Sequence, residues 1–275
     1  MMVNMGDVWD RATGFISDNL SVVLPIALFA IFLPSSLSAS IAPIAKQSPT
    51  ANTVVGIVGL VLTLITLWGQ LAIIALATEP RAGRQPAVAA ANARILPLIG
   101  LALITLIGFF ALILPFPIVL GLAGYDLQAA MNGEQVPLPD GTGGFVALYA
   151  LFLLPLLIFL GARLALLTPV VVRERRGLGA FKRSFVLTRG IAWKVIGVMI
   201  LYCIVFGVAL LAARTVFGSI LELVAGGEGT ISVATVLTSV LVSAVQTAFI
   251  ALSAAFLAKL YLAVRDAREA IVESR

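Results

Sequence analysis

The chain has 275 residues, 61% hydrophobic and 11% charged, with 18 Lys and Arg, 13 Asp and Glu, one Cys and no His. Its mean hydropathy is +1.11, and a soluble domain averages about 25% charged residues, so the composition excludes a soluble protein and reads as an integral membrane one. Without His there is no imidazole base, no imidazole metal ligand and no Ser-His or Cys-His nucleophile pair, and no cofactor is expected. The single Cys203 excludes an internal disulfide, and in a long apolar run it reads as a buried, inert thiol.

The first element is expected at 6–20. Val8, Ala12, Phe15, Ile16 and Leu20 recur at helical spacing opposite Asp7, Asp10, Arg11 and Asp18, the pattern of an amphipathic helix lying in the membrane interface with Trp9 at headgroup depth. No basic leader or small-residue cleavage site precedes the first apolar run, so that run is expected to stay as an anchor. A spanning helix needs about 20 mostly apolar residues, and six such runs follow, at 22–42, 53–77, 96–122, 145–172, 192–217 and 231–260. The third contains Pro115 and Pro117 and is read as one kinked span. A weaker interfacial helix precedes it, with Val88, Ala91 and Ile95 flanked by Arg84 and Arg94.

The connection 123–144 is rich in Gly and Pro and reads as a polar loop. A third interfacial helix is expected in the basic segment 173–191, where Leu178, Phe181 and Phe185 share a face. In the sixth span Ser243, Thr247, Ala251 and Ala255 recur every four residues, which lets another helix of the bundle approach closely. A tail, 261–275, completes a single all-α membrane domain over 1–275 with six transmembrane helices and three interfacial helices. Each interfacial helix with its following hairpin makes one of three similar units.

Basic residues segregate by connection. Arg11, then Arg81, Arg84 and Arg94, then seven residues from Arg173 to Lys194, then Lys259, Arg265, Arg268 and Arg275 fall on one side. Lys46 falls on the other, with Asp126, Glu134, Asp140, Glu222 and Glu228. The positive-inside rule makes both termini cytoplasmic. The charge thus reports orientation, and no nucleic acid is expected as a partner.

Arg163 is the first candidate functional residue. Ten residues before Arg173 on a continuous helix, it would lie about 15 Å deep, at a cost of about 2.5 to 3.5 kcal/mol. Its candidate partners are Gln70, Gln246, Ser and Thr hydroxyls, carbonyls freed by Pro155 or Pro169, or a lipid phosphate. The competing reading is a structural Arg bonded to such carbonyls and amides. Arg173, Arg175, Arg176, Lys182, Arg183 and Arg189 form the densest charge cluster, against the single acid Glu174. That cluster sets topology and attracts anionic headgroups.

The stretch 163–201, with Arg163, Pro169, Lys182, Arg183, Ser184 and Leu187-Thr188-Arg189-Gly190, resembles the hallmark region of the glycerophosphoryl diester phosphodiesterase membrane domain family and related six-span bacterial proteins. The opening GDVWDRATGFISDN, 6–19, is similar too. The resemblance implies a six-span module of a bacterial inner membrane. The phosphodiesterase domain fused to some members uses His and carboxylates, so a chain without His is not expected to inherit that activity.

The expected function is therefore non-enzymatic. It is binding of anionic membrane phospholipid in support of lipid or envelope homeostasis, with a membrane or lipid-metabolism protein as a candidate partner. The alternative is a permease or flippase-like carrier with a cavity around Arg163, Gln70 and Gln246.

Overall fold

The computed structural model describes residues 3–220 and 233–273. All regular structure among them is helical, and six helices are long and apolar enough to cross a membrane. The chain is thus an integral, multi-pass membrane protein. Glu222, Glu228, the beginning of the sixth span at 231 and Arg275 lie outside the described residues.

Helix α1 (Met5–Asp18) starts where the Asn4 side chain accepts from the Gly6 N–H at 3.1 Å. Val8, Ala12 and Phe15 are buried and Asp7, Asp10 and Arg11 exposed, as the spacing predicts, but Leu20, read as part of the same face, begins α2 and is exposed. The first span (Leu20–Lys46) is broken into α2 (Leu20–Ala27), a π-helical turn (Leu28–Phe32) and α3 (Leu33–Ile41), before a short 3-10 turn. Pro34 has no N–H for the Ala30 carbonyl and its ring crowds that group. The backbone widens there, and the Leu33 N–H reaches back to Leu28.

Helix α4 (Pro49–Thr78), capped by Ser48, forms the second span. The third is α5 (Arg84–Ile113) followed by α6 (Pro115–Leu122), whose first turn holds Pro115 and Pro117. The second interfacial helix expected from the sequence is not separate, because Val88, Ala91 and Ile95 lie in the first turns of α5. No residue between Gly83 and the apolar run interrupts that helix, and Pro97 remains inside it. Within the 123–144 connection a short α7 (Leu127–Met131) forms where the Asp126 carboxylate accepts from two backbone N–H groups.

The fourth span is divided into α8 (Gly143–Leu164) and α9 (Leu167–Glu174). Helix α10 (Gly179–Thr188) forms within the basic segment, where the sequence places a third helix, and α11 (Ala192–Ala212) belongs to the fifth span. The last helix, α12 (Val233–Glu273), runs unbroken through most of the segment read as a tail.

Packing is uneven. The apolar windows of the first, second and sixth spans are 39%, 33% and 33% buried, against 6%, 6% and 11% for the third, fourth and fifth. The small residues Ser243, Thr247, Ala251 and Ala255 of α12 are all buried, in a helix that packs against α3 and α4. Gly69 of α4 meets the π turn so closely that an added Cβ would lie 2.6 Å from the Ala30 Cβ. Cys203 is exposed on α11, contrary to the buried thiol the sequence suggests. An apolar run facing lipid has the same hydropathy as one facing a core.

The core gathers at one end. Every residue from Leu71 to Thr78 is buried, as are Val170, Val171 and Val172. Three consecutive helical residues point about 100° apart, so α9 is covered all round, by α4, α5, α10 and α12.

Candidate functional site

The break between α8 and α9 lies just ahead of Pro169, which has no N–H for the Ala165 carbonyl and crowds it. The Arg163 carbonyl, left without a helical partner, accepts instead from the Ser184 hydroxyl at 2.7 Å, with Thr188 Oγ1 at 3.4 Å. Ser184 and Thr188 are both fully buried. The helix rise therefore does not run through from Arg163 to Arg173, and the depth of about 15 Å inferred from it does not apply. Arg163 lies beside α10.

The Arg163 guanidinium is held by ring faces, 4.9 Å from the centroid of Phe185 and 5.8 Å from that of Phe159. Its Nε is buried without a hydrogen-bond partner. Lys182 and Phe185 lie at i and i+3 on α10 and so share one face, and Arg189 follows the helix with an extended backbone. The Arg163 charge sits against the aromatic member of that face.

Glu174 organises the rest of the basic cluster. Its carboxylate accepts from Arg183 Nε at 2.8 Å, pairs with Arg176 Nε at 3.0 Å and accepts from the Tyr261 hydroxyl at 3.1 Å. Arg173 is paired with Glu79 at 2.6 Å. Of the residues singled out from the sequence, Arg173, Arg176 and Arg183 are thus occupied by carboxylates. Arg175, Lys182 and Arg189 are exposed and have no carboxylate partner among the described residues. Arg175 ends α9 with a left-handed backbone, φ 55°. Arg173 and Arg175 also line, with Glu79, a cavity of about 220 Å³ between α4, α5 and α9.

Long-range contacts tie this end together. Lys259 donates to the Ala77 carbonyl at 2.8 Å and lies 4.8 Å from the Phe15 ring centroid. Arg268 donates to the Arg189 carbonyl at 3.1 Å, and Lys194 reaches the Val3 carbonyl at 3.4 Å.

Gln70 and Gln246 do not join Arg163: among the described residues no hydrogen bond links them to it. Gln70 is half-buried on α4. Gln246 lines a separate cavity of about 370 Å³ between α3, α4 and α12, with Ser35, Ser38, Thr63 and Thr66. Tyr261, and its contact with Glu174, are what sequence reasoning missed. The two lie 87 residues apart, and no local spacing pairs them. No protein-family model, curated protein or solved structure matches this chain.

Proposed function

We propose that the protein is a non-enzymatic module of a bacterial inner membrane that binds anionic phospholipid at its basic end, with that end and both termini cytoplasmic. The observation that carries this reading is the Arg163 guanidinium, flanked by two aromatic rings and with no hydrogen bond at Nε. A phosphate supplies the charge-assisted acceptor that such a guanidinium lacks. Arg175, Lys182 and Arg189 add exposed positive charge without a carboxylate to cancel it, and each contributes about 1 kcal/mol of attraction to an anionic leaflet. The resemblance to the six-span membrane domain family fits the same role, in lipid or envelope homeostasis beside a partner membrane or lipid-metabolism protein.

Native mass spectrometry of the full chain with phosphatidylglycerol tests the site. Arg163→Gln should reduce the retained lipid about tenfold, the loss of one hydrogen bond to a charged group, with an unchanged elution volume. Equal retention by both proteins overturns the reading.

A second reading, a carrier, is favoured by the cavity at Gln246, where uncharged polar side chains from three spans converge. Solute flux into proteoliposomes that is abolished by Gln246→Leu and left intact by Arg163→Gln would select it.

A further inference from the structure

A cavity of about 520 Å³ lies on another flank of the bundle, between α1, α11 and α12. That is within the roughly 300 to 1,000 Å³ of sites that bury a small apolar ligand. Val198, Leu201, Tyr202 and Val205 form one helical stripe of its wall on α11, and Phe249, Leu252 and Phe256 a second on α12. The only polar side-chain group on these two walls is turned away, since the Tyr202 hydroxyl donates to the Phe249 carbonyl at 2.7 Å. Ring contacts fix the walls: Trp9 with Phe256 and Tyr202 with Phe249, each at 5.7 Å between centroids.

The mouth differs. Met5, Gly6, Trp9 and Asp10 of the amphipathic α1 close that end of the cleft. Asp10 is exposed and has no ion-pair partner among the described residues. Lys194 lies one turn before Val198 on the same face of α11, and its ammonium touches the Val3 carbonyl at 3.4 Å, just ahead of α1. An exposed carboxylate at its rim and, one helical turn beyond Val198, an exposed ammonium therefore flank an apolar slot whose α11 wall, from Val198 to Val205, rises about 10 Å.

We propose that this cleft holds one acyl chain of a phospholipid with an amine headgroup, of the phosphatidylethanolamine class. Its phosphate faces Lys194 and its ammonium faces Asp10. Trp9 sets the depth of the headgroup, as aromatic residues do at the interface. A headgroup carrying only negative charge gains from Lys194 but meets the Asp10 carboxylate unscreened, so Asp10 is the selecting residue. The site shares Lys194 with the basic end but none of its lining residues with the surroundings of Arg163.

The test is native mass spectrometry of the full chain, given phosphatidylethanolamine and phosphatidylglycerol of identical acyl chains. Every variant is built in both wild-type and Arg163→Gln backgrounds, so that lipid held at the basic end is counted apart. In the Arg163→Gln background, retention should favour phosphatidylethanolamine about fivefold, the effect of one headgroup-level charge. Asp10→Asn should bring that ratio close to one. Leu201→Trp, which fills the slot from a largely lipid-facing position, should lower retention of both lipids, and Val205→Phe provides the same obstruction one turn along. An unchanged lipid preference in Asp10→Asn, or full retention by a filled-cleft variant eluting like wild type, overturns the proposal.

Discussion

The Ser184 hydroxyl donates to the Arg163 carbonyl across 2.7 Å, so a side chain of α10 closes the end of α8. Ser184 is fully buried, and removing its hydroxyl leaves that carbonyl with only the longer contact from Thr188. Ser184→Ala is expected to cost about 1 to 3 kcal/mol, seen as a lower Tm in detergent. A Tm equal to wild type would show that Thr188 alone satisfies the carbonyl.

The two acid partners of the basic cluster should behave differently. Glu174, 14% exposed at its side chain, joins Arg176, Arg183 and Tyr261, whereas Glu79 is 57% exposed and binds Arg173 alone. Glu174→Gln is expected to lose about 2 to 3 kcal/mol by stranding partly buried partners, and Glu79→Gln less than about 1 kcal/mol. Glu174→Gln should also bind more phosphatidylglycerol, because two guanidinium groups lose their carboxylate. Thermal melts and lipid titrations of the pair check both statements.

Gly69→Ala places a methyl 2.6 Å from the Ala30 Cβ, where the π turn of the first span meets α4. Overpacking of this kind costs about 1 to 3 kcal/mol. Gly197→Ala is the control, an exposed helical glycine with open space around an added Cβ, and it should be neutral or slightly stabilising. Equal Tm values for the two variants would contradict the close approach.

Lys259 connects three elements, because it sits on α12, donates to Ala77 of α4 and lies over Phe15 of α1. Lys259→Met keeps the stem but loses the hydrogen bond and the cation–π contact, about 1 to 2 kcal/mol together. Hydrogen exchange should rise in α1 and remain unchanged in α11.

The six spans are legible in the sequence because a run of about 20 apolar residues is the length a helix needs to cross the hydrocarbon layer. The buried face of α1 is legible because Val8, Ala12 and Phe15 repeat with the helix. The break in the fourth span is not. Pro155 and Pro169 look alike in an apolar run, yet Pro155 stays within α8 while Pro169 follows the break between α8 and α9. What differs is distant, namely the hydroxyls at Ser184 and Thr188 that receive the orphaned Arg163 carbonyl. The charge cluster is visible as a count of basic residues, but its net effect depends on Glu79 and Glu174, whose pairing with Arg173 and Tyr261 spans 94 and 87 residues. Gln70 and Gln246 have the side-chain amide that an Arg partner needs, and helix rotation takes Gln246 to another cavity.

The concentration of buried residues around α9 has a consequence for how the molecule comes apart. Helix α8 alone, at 22 residues, is about 33 Å long and already spans a hydrocarbon layer of roughly 30 Å. The protein-covered turns of α9 are therefore surplus to the crossing and serve as a plug inside the charged end. The bare stretches of α5, α8 and α11 owe their order to whatever amphiphile surrounds them. Detergent exchange should loosen those walls first and leave the plugged end as the last cooperative unit to open.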